Sequence, residues 1–364
     1  MDFMTAKDAA ALWGISQRRV AILCSEDRIY GAELVGKMWL IPKSAQKPPD
    51  ARNSRFQPKS YSTVKPFLKW AGGKSQILSE IRAKYPSGLG QTVKKYAEPF
   101  VGGGAVLFDI LSSYELSDVY ISDINRELIL TYKKIRDDVE SLISHLHLLE
   151  SSYLPTDSTA RKKFFYLSRK RFNELKLAES DSHELAALFI FLNRTCFNGL
   201  YRVNSKGEYN VPQGSYKNPC ICDTNNLLAV SKALQCVDIK CCDYKDSKCF
   251  IDHNTFVYFD PPYRPLNTSS SFTTYTQNGF GDNDQIELAK FIDKMSERGA
   301  FVVASNSDPK NTNENDTFFD ELYSAYKIFR ISANRAINSV GNGRGKISEL
   351  LIANQNDLIW EELR

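Results

Sequence analysis

The sequence predicts a doubly wound α/β fold with a mainly parallel sheet, preceded by a small helical module. Three observations carry this. Short β-prone runs (Tyr96-Ala97-Glu98, Val119–Ser122, Phe256–Phe259 and Phe301–Ala304) alternate with helical patterns. A glycine-rich loop at 102–104 separates the first run from an apolar helix, Ala105–Leu111. Asp123 and Asp260 stand at the ends of two of the runs, where ligands of such sheets sit.

The helical pattern is densest over residues 126–195, with breaks near Pro155 and Asp181. Tyr201-Arg202-Val203 and Glu208–Val211 flank Asn204-Ser205-Lys206-Gly207, which predicts a hairpin over 200–212. Upstream, Thr5 and Asp8 form a capping-box pattern before Ala9, Ala10, Leu12 and Trp13; Gly14 breaks that helix. Ser16 is placed to cap a second helix through Arg18, Arg19, Val20 and Leu23. Ala32–Val35 and Met38–Ile41 around Gly36-Lys37 read as a wing hairpin. The polar, proline-containing stretch that follows, 43–65, reads as a linker.

Hydrophobic residues make up 42% and charged residues 25% of the 364, which fits a globular chain. No apolar run is long enough to span a bilayer and the N-terminus lacks a signal-peptide pattern, so the expected compartment is the cytoplasm. The eight cysteines form no C-x-x-C and are expected to be free thiols; no metal site is expected. Residues 1–60 hold 10 Lys/Arg against 6 Asp/Glu, which accounts for the whole net charge of +4. That fits a nucleic-acid partner for the N-terminal module, with Arg18 and Arg19 facing phosphates or base edges; a protein-docking module of the same shape is the alternative.

Asp260-Pro261-Pro262-Tyr263 follows an apolar strand directly. The exocyclic amine of a nucleobase is a poor nucleophile, because its lone pair is conjugated into the ring. A carboxylate and a backbone carbonyl that each accept one of its N–H groups favour a tetrahedral nitrogen and release the lone pair. Two prolines stiffen the loop and leave its carbonyls without local donors. Tyr263 offers a face for a planar base. Glu98–Gly104 lacks the third glycine of a nicotinamide-dinucleotide fingerprint, but a glycine-rich loop with Asp123 at the next strand end suits a nucleoside. Phe67–Ser75 fails the P-loop pattern, since Leu68 stands where glycine is required. Phe197–Arg202, Val211-Pro212 and Ser215-Tyr216-Lys217 combine aromatic, amide and cationic groups suited to base edges and phosphates, or form an ordinary surface hairpin.

In order, FLKWAGGKSQIL, EPFVGGGAVLF, ISDIN, FLNRTCFNGLYRVNSKGEYNVPQGSYKNP, VYFDPPYRPL, VVASNSD and GKISELLI resemble the Dam family of DNA adenine methyltransferases, from about Pro66 to the C-terminus. The module before it is similar to MerR and excisionase-type helix-turn-helix modules. The resemblance implies a Rossmann-like methyltransferase sheet with a mainly helical target-recognition insert. It divides the chain into a module at 1–45, a linker at 46–65, a catalytic domain at 66–125 and 236–364, and a recognition domain at 126–235. It implies S-adenosylmethionine, bound by Trp70, Lys74, Phe100, Gly102, Gly104, Asp123, Asp243, Tyr244 and Asp260. It implies that Asp260 and Pro261 hold the N6 amino group of an adenine flipped from duplex DNA, that Tyr263 stacks on it, and that Phe197 fills the vacated space. It also implies that Lys69, Asn198, Leu200, Arg202 and Pro212 contact DNA, and Tyr216 and Lys217 join them as candidate DNA contacts from the aromatic and cationic composition of their segment.

Two departures stand out: Phe197 replaces a tyrosine, and Ser215 replaces a basic residue, which removes a contact. The resemblance at Leu200, Arg202 and Pro212 to enzymes that methylate adenine in GATC implies that target, although related enzymes read other short sites with a similar hairpin. A cognate restriction endonuclease as partner, a monomer or weak dimer, and a bacterial or phage-encoded, nucleoid-associated enzyme complete the expectation. A DNA-binding regulator with a silent methyltransferase domain is the alternative.

Overall fold

The computed structural model describes residues 3–14, 16–25, 29, 32–36, 38–43, 45, 64–70, 72–264, 280–334 and 346–354. The chain divides into two compact units, Met1–Ser60 and Tyr61–Arg364. Most of the expected linker, Lys37 and the Arg19 side chain lie outside the described residues.

In the first unit, β1 (Phe3–Thr5) leads into α1 (Ala6–Trp13). The Thr5 hydroxyl accepts from the Asp8 N–H at 3.3 Å and the Asp8 carboxylate accepts from the Thr5 N–H at 3.1 Å, so the capping box forms. Gly14 ends the helix in the left-handed region. After α2 (Gln17–Ser25), β2 (Glu33–Val35) and β3 (Met38–Pro42) pair antiparallel about the turn at Gly36. The sequence reading missed β1, which pairs with β3 to make a three-stranded sheet. Ala9, Val20, Leu23 and Ile41 form its small core.

The second unit is built on a seven-stranded sheet. Chain order is α3 (Leu78–Arg82), β4 (Lys95–Glu98), α4 (Ala105–Ser113), β5 (Asp118–Asp123), α5 (Arg126–Asp137), α6 (Val139–Tyr153), α7 (Ser158–Leu177), α8 (His183–Thr195), α9 (Thr224–Ala233), β6 (Val237–Cys241), β7 (Thr255–Phe259), α10 (Asp282–Glu297), β8 (Phe301–Ser307), α11 (Phe318–Leu322), β9 (Lys327–Asn334) and β10 (Lys346–Ala353). The sheet order is β6-β5-β4-β7-β8-β10-β9. The first five of these strands run parallel and β10 is antiparallel to both neighbours. The chain moves from β4 outward to β5 and β6, then returns to the other side of β4 as β7. The order therefore reverses between β4 and β7, and a crevice opens at their carboxyl ends.

Side-chain alternation divides the core in two. Tyr96, Phe256 and Tyr258 point to the side of α4, α5 and the helical insert; Ala97, Val257 and Phe259 point to the side of α10. Every residue of β7 is buried, which explains why its sequence runs hydrophobic without a break from Phe256 to Phe259. The segment 200–212 differs from the expected hairpin. It closes through one antiparallel bridge, Val203 to Tyr209, rather than through two strands. The cause is α7: Asn173 exchanges hydrogen bonds with the Tyr209 backbone at 2.8 and 3.1 Å, and Arg169 donates to the Asn210 and Val211 carbonyls. Helix side chains satisfy backbone groups that a partner strand otherwise would.

Gly104 begins α4 with a φ of +71°, and a Cβ there would lie 2.5 Å from the Tyr132 hydroxyl. Gly104→Ala is expected to lower the unfolding free energy by at least about 1–2 kcal/mol, the cost of left-handed backbone for an L-residue. A lowered urea midpoint would register it; an unchanged midpoint would contradict the packing described.

Candidate active site

The carboxyl ends of β4, β5, β6 and β7 open onto one cavity of about 920 Å³. Each end contributes an acid to its wall: Glu98, Asp123, Asp243 and Asp260. Burial dominates the first two. It pushes the Glu98 carboxyl up to about 8, against a 2.7 Å hydrogen bond from the Tyr96 hydroxyl that lowers it. Burial pushes Asp123 up to about 6, opposed by backbone N–H donors from Asn125 and Gly102 at 2.9 and 3.2 Å.

Asp260 is held asymmetrically. Its Oδ1 accepts from the Ser305 hydroxyl at 2.7 Å and lies 2.7 Å from the Lys74 ammonium. Among the described residues no group donates to its Oδ2 or to the Pro261 carbonyl. Lys74 also donates to the Gly72 carbonyl and lies 4.7 Å from the centre of the Tyr263 ring. The Tyr263 hydroxyl donates to Glu349 on β10 at 2.9 Å. A rim of acceptors beside an aromatic face can take an amine carried on a planar ring.

The glycine loop lies against Trp70. A Cβ on Gly102 would come 2.8 Å from the indole nitrogen, and one on Gly103 would come 2.9 Å from the Trp70 Cβ. Phe100 and Tyr244 stack at 5.3 Å along the wall that ends in Asp243. Fourteen of the residues singled out in the sequence line this one cavity: Lys69, Trp70, Lys74, Phe100, Gly102, Gly104, Asp123, Leu200, Arg202, Asp243, Tyr244, Asp260, Pro261 and Tyr263.

The remaining candidates in this unit cluster beside it. The Phe197 N–H donates to the Pro212 carbonyl, and Lys69 lies over the Tyr216 ring at 3.9 Å. Asn193 bonds the Lys69 backbone at both N–H and C=O and donates to the Gly199 carbonyl, which clips the segment around Asn198 to Lys69. Phe197 leaves 51% of its surface in solvent. Lys217 is exposed, and its carbonyl accepts from Arg161. Arg18 is exposed on α2, in the other unit.

Several residues at the site escaped the sequence reading. Ser305 and Asn306 sit inside the quoted VVASNSD, and Glu349 inside GKISELLI, but neither motif revealed a role. Tyr201, read in the sequence only as part of the hairpin segment, lines the cavity, stacks on Trp70 at 6.2 Å and donates to buried Glu127 at 2.8 Å. Gln285 gave no signal, since a polar residue in an amphipathic helix ordinarily faces water.

The sequence profile of the D12 class N6 adenine-specific DNA methyltransferases matches residues 70–337. The chain belongs to this family. A type II methyltransferase, M.MjaIII of Methanocaldococcus jannaschii, is 52% identical over 293 residues, which is 80% of this chain and 99% of that protein. The type II methyltransferase M1.LlaDCHI of Lactococcus lactis subsp. cremoris is 35% identical, covering 81% of this chain and 97% of its own. The DNA adenine methylase of Escherichia coli K12 is 34% identical, covering 78% and 93%. The D12 profile starts at Trp70, so the first unit lies outside it. The chain is thus a DNA adenine-N6 methyltransferase, and family membership implies S-adenosylmethionine as methyl donor.

The raised Glu98 carboxyl predicts a pH signature. Its native pKa of about 8 exceeds its ordinary value of 4.5, so between those pH values the native state keeps a proton that the unfolded chain releases. Stability contributed by this group therefore falls as pH rises through that window and levels off above it. Between pH 6.5 and 8, above the range of Asp123, urea unfolding of Glu98→Gln should show a smaller loss of stability than the parent. Identical losses in the two proteins would refute the assignment.

Proposed function

We propose that Asp260 Oδ2 and the Pro261 carbonyl together grip the N6 amino group of an adenine rotated out of duplex DNA, with Tyr263 stacked on its ring. The observation that carries this is the one-sided capture of Asp260: Ser305 and Lys74 hold Oδ1, and Asp260 and Pro261 are consecutive residues that both line the cavity. Hydrogen bonds to a charged acceptor contribute roughly 1.5–3 kcal/mol, and this pair strengthens as the amine gains positive charge in the transition state. Rotating the base out costs roughly a few kcal/mol, offset by stacking in the pocket. Phe197, half exposed beside the cavity, fills the gap left in the duplex.

The residues present suit S-adenosylmethionine. The cavity is large enough, its glycine loop has no room for side chains on the Trp70 side, and its acids can meet ribose hydroxyls and cationic groups. Trp70, Lys74, Phe100, Gly102, Gly104, Asp123, Asp243 and Tyr244 would hold it. When bound, it supplies a methyl group on a sulfonium whose charge is neutralised as the methyl departs. The chain's own task is positioning: the nitrogen lone pair is aimed at that carbon, water is kept out, and the proton shed by N6 passes to Asp260 Oδ2.

Lys69, Asn198, Leu200, Arg202, Pro212, Tyr216 and Lys217 are the proposed DNA contacts, with GATC as the target. Arg202 is oriented for this by a 2.7 Å bond from its Nε to Asn210. The proposed division places catalysis in 66–125 and 236–364 and recognition in 126–235. The N-terminal unit is proposed to add a second DNA contact through Arg18 and Arg19. A monomer or weak dimer acting beside a cognate endonuclease is the proposed setting.

Transfer of tritiated methyl groups onto duplexes with and without GATC tests this. The parent should label only the duplex containing the site. Asp260→Ala should lose labelling by orders of magnitude while binding the same duplex normally. Near-parent labelling by that variant would sink the amine grip, and equal labelling of both duplexes would sink the target.

A further inference from the structure

The reactive loop is held from behind by two buried amides that the mechanism above does not use. Gln285 on α10 has no exposed surface and Asn306 on β8 is 3% exposed. Two side-chain amides buried this deeply are costly unless every polar atom is paired. They are paired in a chain of fixed polarity. The Asn306 Oδ1 accepts from the backbone N–H groups of Arg264 and Ser307, at 3.2 and 2.9 Å. Two backbone donors cannot reverse, so the Asn306 Nδ2 faces away and donates to the Gln285 Oε1 at 3.0 Å. The Gln285 Nε2 then donates to the Pro262 carbonyl at 3.0 Å.

Resting on the reading of Asp260 and Pro261 given above, we infer that Gln285 and Asn306 are positioning residues for methyl transfer, fixing the direction of the Pro261 carbonyl. Proline rings lock φ at both 261 and 262, and neither residue has an N–H through which the loop could be tied down. The orientation of the Pro261 carbonyl is set by the one remaining torsion between the two rings. That torsion is free to turn unless the chain beyond it is clamped. The Gln285 bond clamps the Pro262 carbonyl, and the Asn306 bond clamps the Arg264 N–H two residues on. Asp260 is clamped on the near side by Ser305. With both flanks fixed from behind, the torsion that aims the Pro261 carbonyl is fixed as well, in a residue that lines the cavity next to Asp260. Neither amide touches the substrate. Their effect is on geometry at the moment of transfer, where displacement of a reacting group by about 1 Å costs on the order of 100-fold in rate.

The test is single-turnover methyl transfer by Gln285→Met and Asn306→Ala at saturating DNA and S-adenosylmethionine. Dissociation constants for both ligands and the thermal midpoint are measured alongside. Gln285→Met keeps the side-chain length and removes the donor; Asn306→Ala leaves Gln285 free to reverse its amide. Each variant should transfer roughly 10–100-fold more slowly, with both dissociation constants within about threefold of the parent. The double variant should be little slower than the slower single one, since the two act through one chain of bonds. A merely structural role would weaken binding and rate together. Parent-like rates in either folded variant, or parallel losses of rate and affinity, overturn the inference. If one variant fails to fold, the other decides alone. Asp260→Ala in the same assay separates the two readings. Full activity there defeats the amine grip and this inference with it; an inactive Asp260→Ala beside fully active Gln285→Met and Asn306→Ala defeats only this inference.

Discussion

Parallel strands bring their carboxyl ends to one rim, and here four adjacent ends each deliver an acid to the same cavity. That concentration of carboxylates is the constraint from which the rest of the site follows. Like charges close together in a partly dry space cannot all stay ionised without compensation. Three kinds of compensation occur. Glu98 keeps its proton in the neutral range. Asp123 draws on backbone N–H groups of the glycine loop and of the Asn125 turn. Asp260 is paired with the cation of Lys74. The last two tie an acid to another element, so Asp123 and Asp260 also fix the glycine loop and Lys74 against the ends of β5 and β7. In a methyltransferase this matters twice, because donor and acceptor must meet in line and the donor carries positive charge.

The segment proposed to read DNA is wired into the same site. Asn193 clips the Lys69 backbone to Gly199, so the stretch preceding Trp70 and the stretch carrying Asn198 and Leu200 move together. Tyr201 lies between two proposed DNA contacts in sequence, yet its ring stacks on Trp70 and its hydroxyl reaches Glu127, which Lys176 pairs at 2.6 Å. Residues expected to read bases are therefore mounted on Trp70, which lies against the glycine loop. Asn173 and Arg169 hold the other limb, which keeps Arg202 and Pro212 in register without a regular hairpin.

Legibility in the sequence followed the range of the forces involved. β7 was readable because burial on both faces demands an unbroken apolar run, and the turn after it because two prolines can do little else. The capping box at Thr5 and Asp8 was readable because its partners are three residues apart. β1 was not, since a three-residue strand exists only through pairing with distant β3. β6 is an edge strand with three of its five residues half-exposed or exposed, so it shows no apolar run. The 200–212 segment carried a true turn signal, but the capture of its backbone by α7 depends on residues some forty positions earlier. At the site, the residues themselves pointed to the Asp260 turn, the glycine loop and Asp123, and the resemblance to the Dam family supplied most of the other cavity-lining residues. What stayed hidden were the buried polar partners Ser305, Gln285 and Asn306, whose pairing is visible only once the loop, α10 and β8 are brought together.

The central claim is that one oxygen of Asp260 is held by the protein so that the other, with the Pro261 carbonyl, can hold an amine. A crystal structure with an unreactive S-adenosylmethionine analogue and a target duplex would test it most directly. The account predicts the flipped adenine's N6 within hydrogen-bond distance of both Asp260 Oδ2 and the Pro261 carbonyl, with Ser305 still on Oδ1. An adenine seated with N6 away from Pro261, or an Asp260 carboxylate turned so that both oxygens are taken by the protein, would contradict it.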